Sequence, residues 1–336
     1  MSRVSSARPA WRAPSAAGGL SALLATVVLG AVALAAERPG SGADGPSGTR
    51  PSLYSLQRPR VEELPGAGDP GVRRLWSDGL RLEANQEFLS SAQVYESISR
   101  RLPTDPNAYW RASRNYWRYG DDQTARSTRI KYFTLADQWA GQALEIDPAC
   151  GPCYLQKFLA MASLATTQGI FTAIRHAETM QHLLDRGIEL QPTQADNQWN
   201  STLGNLYAAA SHFYRVTPEW FWLKMVVGVR GDRERALEYA RRAHAMAADR
   251  IDYTVTLGAA LLCLGTEKQE PHLLNEGVVT LRRVRTLPHL RADEDPRYVR
   301  QAEGLAAHPE TACSYSPDGP VDVGGALAEA GAASKQ

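Results

Sequence analysis

The sequence predicts an all-α protein, an α-solenoid of four to five helix-turn-helix units with extended loops inside the units. Three observations predict it. Small and apolar residues recur three and four apart through the body of the chain, which sets them on one stripe of a helix. Most such stretches end in proline-containing punctuation, and the prolines recur at about 45 residues, as expected for stacked helical units. No segment longer than a few residues shows the period-two alternation of a strand.

In chain order, Arg3, Arg8 and Arg12 precede an uncharged, largely apolar run from Ala13 to Ala36. That is the layout of a signal peptide, with Ala33-Leu34-Ala35 as an A-x-A cleavage pattern, or of an uncleaved anchor, since about 20 apolar residues cross a bilayer. Either way positive charge keeps the N-terminus cytoplasmic and places the body outside the inner membrane, periplasmic or anchored there by the N-terminal segment 1–36. Residues 37–70 are rich in Gly, Pro, Ser and Arg and read as a flexible linker. Residues 71–306 carry the repeat, and residues 307–336 read as a disordered tail because they hold little to bury.

Within the body, the second helix of each unit shows Ala92, Tyr95 and Ile98 before Pro103, and Ala136, Ala140 and Ala143 before Pro148. Met180, Leu184 and Gly187 then precede Pro192, Ala236, Ala240 and Ala243 precede Ala248, and a degenerate copy leads to Pro288. Matching first helices carry Leu75, Gly79 and Leu82; Tyr109, Ala112, Tyr116 and Gly120; Leu203, Gly204 and Tyr207; and Leu257, Gly258, Leu261 and Gly265. A small residue at these places is what a close helix crossing needs. Together the segments resemble the tetratricopeptide repeat (TPR) from about Val72 to Leu305. The excess over the 34-residue repeat is expected between first and second helices, at Asp121 to Lys131 and His212 to Gly231. That layout, with Gly231-Asp232-Arg233-Glu234-Arg235 opening a second helix, resembles the T-component of TRAP transporters and related regulators of microtubule dynamics. The resemblance implies a hydrophobic ligand or a transporter's solute-binding partner.

The formal charge of +1 is spread evenly, so the chain lacks the basic footprint of a nucleic-acid binder. Cys150-Gly151-Pro152-Cys153 copies the thioredoxin tetrad, but no hydrophobic strand feeds it. It falls in an inter-repeat turn where the cysteines cap the next helix and can form a small disulfide. Cys263 and Cys313 can pair if the tail folds back, and at most one of the two disulfides is expected to be structural. Neither offers C-x-x-C a second ligand pair for zinc. The seven histidines show no H-E-x-x-H and no G-x-S-x-G partner. Hence the sequence suggests no catalytic residues, metal or cofactor.

Two groups suggest binding instead. Trp110, Arg111, Arg114, Trp117 and Arg118 fall at positions that line the concave groove of a TPR-like array. Arg can clamp a carboxylate and Trp offers a flat apolar wall, so this face suits an acidic or C-terminal peptide, or it covers the adjoining repeat. Trp220, Phe221, Trp222 and Met225 lie in a stretch too apolar to face water, which packs in the core, meets another subunit or lines an apolar ligand cavity. The reading is a scaffold for a protein or peptide partner, with a small-ligand-binding or transporter-accessory protein as alternative, and a thiol-disulfide oxidoreductase as third.

Overall fold

A computed structural model describes residues 60–193, 201–219, 224–225, 228–291 and 294–317. The expected leader or anchor at 1–36, most of the linker and residues 318–336 lie outside these. Among the described residues there are eleven α-helices and no strand. They are α1 (Pro70–Ala84), α2 (Phe88–Arg101), α3 (Pro106–Asp121), α4 (Arg126–Ile146), α5 (Gly151–Gln168) and α6 (Ile170–Glu189), then α7 (Thr202–Val216), α8 (Arg233–Met246), α9 (Ile251–Lys268), α10 (Pro271–Arg283) and α11 (Asp295–Ala307). Successive helices pack as hairpins, α1/α2 through α9/α10, and α11 covers the last one. The first helices α3, α5, α7 and α9 also touch one another in order, which makes the stack an α-solenoid of TPR type.

Local chemistry starts these helices. Asp69 caps α1 by accepting hydrogen bonds from the backbone N–H groups of Gly71 (2.6 Å) and Val72 (3.1 Å), with Pro70 at the first helical position. Asp105 with Pro106 repeats the device at α3, Ser201 caps α7 and Asp232 caps α8. The small residues read from the sequence sit at crossings. A Cβ built on Gly79 would meet the Tyr95 ring at 2.9 Å, and one on Gly258 would meet Leu281 at 2.5 Å.

Three expectations need correction. The loop foreseen from Asp121 to Lys131 is mostly helix, because α4 begins at Arg126 and the added length is an extra stretch of second helix. The linker already packs from Val61, where a 3-10 turn leads into Ala67, which is buried, and the Trp76 indole donates to the Pro65 carbonyl at 2.9 Å. The tail expected to be disordered from residue 307 packs on the repeat through residues 308–317. Its Ala312 and Ser316 are buried, and it is fixed to α9 by the Cys263–Cys313 disulfide. Both cysteine pairs are bonded, Cys150 with Cys153 and Cys263 with Cys313.

Candidate binding channel

The concave side of the solenoid encloses a cavity of ≈ 590 Å³. Its walls come from the first helix of each hairpin and from the strap that follows α11, through Tyr315, Ser316 and Pro317. The apolar floor is Leu155, Phe158, Leu159 and Ala162 of α5 with Ala208 and Ala209 of α7. Seven arginines and five carboxylates line it, leaving a net charge of +2. The ring is closed by an ion pair between Arg118, at the end of α3, and Glu294, just before α11, with Arg297 3.9 Å from Asp121 beside it.

Trp110, Arg111, Arg114, Trp117 and Arg118 all line this channel. Their heads, however, are engaged within the chain. The Glu83 carboxylate on α1 accepts from Arg114, lies 4.0 Å from Arg111 and accepts from the Tyr95 hydroxyl at 3.0 Å. Burial first, and then the Glu83 charge, push the Tyr95 hydroxyl far above its usual pKa, so it stays a donor. The guanidinium carbons of Arg111 and Arg114 stand 4.4 and 5.0 Å from the Trp110 ring centroid. The Trp117 indole donates to Ser163 Oγ at 2.9 Å, tying α3 to α5. Of the two roles expected for Arg111, these contacts favour the covering of the adjoining repeat over the clamping of a partner. At 4% exposure, its charge is matched by Glu83, because a buried guanidinium needs a carboxylate in reach. Tyr116 is buried and donates to Glu96, while the Tyr109 hydroxyl meets the Pro103 carbonyl at 3.3 Å.

Of the second expected group, Trp220, Phe221 and Trp222 lie outside the described residues. Met225 is 74% exposed and does not line the channel, so of the three expected roles it is contact with another subunit that its exposure leaves room for. Among the described residues, no group of three or more His, Cys, Asp or Glu side chains could hold a metal ion.

Sequence reasoning missed the far wall. Arg215 of α7, 1% exposed, donates to the carbonyls of Ala312 and Tyr315 (2.8 Å), so it holds the strap in place. Burial lowers its pKa to about 10. His212, one turn earlier, is 3.1 Å from the same guanidinium; burial, then that charge, holds its imidazole down at about 3, hence neutral. On α9, Asp252 also lines the channel and receives Arg250 (2.5 Å) and Arg291 (3.2 Å). Burial alone would raise the Asp252 carboxyl, but the two arginines outweigh it and hold the value at about 2. An isolated Arg in Phe213-Tyr214-Arg215-Val216 carries no local sign that its partners lie about a hundred residues away.

Fold and channel define the class of protein: a TPR-like helical repeat scaffold, compatible with protein binding. A family model described as "Regulator of microtubule dynamics protein 1-3" matches residues 76–280, and the chain belongs to that family. The likeness to the transporter T-component finds no support beside it. The chain is also similar to the crystal structure of TTC0263, a thermophilic TPR protein of Thermus thermophilus. The identity is 14% and the TM-score 0.45, and the match covers 70% of this chain and 98% of that one. No curated protein is significantly similar in sequence.

Proposed function

We propose that the protein is a non-enzymatic scaffold whose channel takes up an extended, acidic segment of a protein partner. The observation that carries this is the channel itself, built from the first helix of every hairpin and within the roughly 300–1,000 Å³ that ligand clefts span. Trp110, Trp117 and Phe88 give it aromatic walls, and the net charge of +2 favours an acidic occupant. Because Arg111 and Arg114 already share Glu83, the surplus is one positive charge at that end of the channel. A small acidic apolar ligand is the second reading, favoured by the Arg118–Glu294 pair that closes the ring.

Export by residues 1–36 belongs to the same proposal. Its support is the arginine-flanked apolar run, together with the bonding of all four cysteines, a usage typical of oxidising compartments. Among the described residues no helix is long and apolar enough to cross a membrane. To test the binding reading, a photo-crosslinking residue is placed at Leu159 in the channel floor and, separately, at Arg241 on α8. Adducts with a protein partner are expected from position 159; adducts from 241 alone would overturn the channel as the binding site.

A further inference from the structure

The Cys150–Cys153 disulfide stands in the channel wall and does little that a structural crosslink does. It closes a sequence separation of 3, whereas Cys263–Cys313 closes one of 50, and the chain-entropy contribution of a crosslink grows with the loop it closes. Its two sulfurs are also unequal. Cys150, itself buried to 6% exposure, presents its remaining surface to the channel, while Cys153, in the first turn of α5, has none. As N-cap of that 18-residue helix, Cys150 Sγ already accepts from the Cys153 backbone N–H at 3.3 Å, the contact that would steady a thiolate there. The Trp110 ring packs in the same cluster as both cysteines, so the bond forms part of the surface that carries the channel's aromatic wall.

We infer that Cys150–Cys153 is a reversible redox site, opened by low-molecular-weight thiols that enter through the channel and attack Cys150 Sγ. The thiolate of the first small thiol bonds to Cys150 Sγ and the Cys150–Cys153 bond breaks. Its electron pair leaves on Cys153 Sγ, which takes up a proton. A second small thiolate attacks the small-thiol sulfur of the mixed disulfide and releases Cys150 as thiolate. Two small thiols thereby become one disulfide, and two electrons pass to the protein. Attack in the reverse sense, at Cys153, is blocked by its burial. The inference does not depend on what else the channel binds.

The test equilibrates the full chain with graded ratios of reduced to oxidised glutathione, quenches with an alkylating reagent and maps each cysteine by mass. Cys150 and Cys153 are expected to be reduced at ratios that leave Cys263–Cys313 bonded. In the reduced protein Cys150 should alkylate with a pKa below the roughly 8.5 of a free thiol. Trp110 emission should change with reduction, and this change should vanish in Trp110→Phe. Oxidised glutathione should cap Cys150 in Cys153→Ser and leave Cys153 free in Cys150→Ser. The inference is overturned if both disulfides reduce together, or if Cys150 titrates at or above the free-thiol value. Capping of Cys153 instead of Cys150 would equally overturn it.

Discussion

Replacing Arg111 with Ala separates a residue that holds the channel wall from one that waits for a partner. The side chain is 4% exposed, its guanidinium lies 4.0 Å from the Glu83 carboxylate, and it covers the Trp110 ring at 4.4 Å. Removing one member of a buried ion pair costs about 3–5 kcal/mol, but Arg114 stays bonded to Glu83, so the electrostatic loss falls toward half of that. The desolvated contact with Trp110 adds about 1 kcal/mol. The sum is a destabilisation of about 3 kcal/mol, read as a lower urea midpoint by far-UV circular dichroism. Glu83→Gln removes the carboxylate that both arginines share and should cost at least as much. Combined with Arg111→Met it should show a coupling above about 1 kcal/mol in a double-mutant cycle. If Arg111→Ala unfolds within about 0.5 kcal/mol of the parent, the guanidinium is not part of the fold and the Glu83 argument fails.

Three other outcomes follow from the same geometry. His212 has a folded-state pKa of about 3 against the usual 6.5, so the unfolded chain takes up its proton first as pH falls. Its contribution is intact above about pH 6.5 and is lost on the way down to 3, a decline of at most about 5 kcal/mol that His212→Asn should flatten in pH-dependent urea titrations. Gly258→Ala places a methyl 2.5 Å from Leu281 and should destabilise the α9/α10 hairpin by about 1–3 kcal/mol, seen as faster amide exchange across those helices. Cys313→Ala opens the loop of separation 50 and should lower stability by up to about 4 kcal/mol in the oxidised protein, with no change when parent and variant are both reduced.

The hairpins were legible because their signals are local. Ala136, Ala140 and Ala143, or Leu257, Gly258 and Leu261, state within one helix which stripe is buried and how close a neighbour comes. Caps such as Asp69-Pro70 and Asp105-Pro106 are equally local. The placement of Trp110, Arg114 and Trp117 on the concave side follows from the same periodicity. What periodicity cannot express is who answers a charge across the stack. Glu83 reads as an ordinary residue near the end of α1, yet it meets Arg114 from α3. Arg118 finds Glu294, and Arg215 finds the carbonyl of Tyr315, through contacts that depend on how far the superhelix turns. The same turn folds the strap inward, and a stretch as short and as mixed as His308 to Pro317 carries no periodicity that foretells it.

The central claim, that binding takes place in the channel, is tested most directly by filling it. Ala209 lies in the α7 part of the channel floor and is only partly buried against the core, so Trp there is expected to extend into the free volume. With the segment captured through Leu159 supplied as a synthetic peptide, Ala209→Trp should weaken binding by at least about tenfold, roughly 1.4 kcal/mol, while the helical spectrum is unchanged. Unaltered affinity in a folded Ala209→Trp protein would place the site elsewhere and contradict the account.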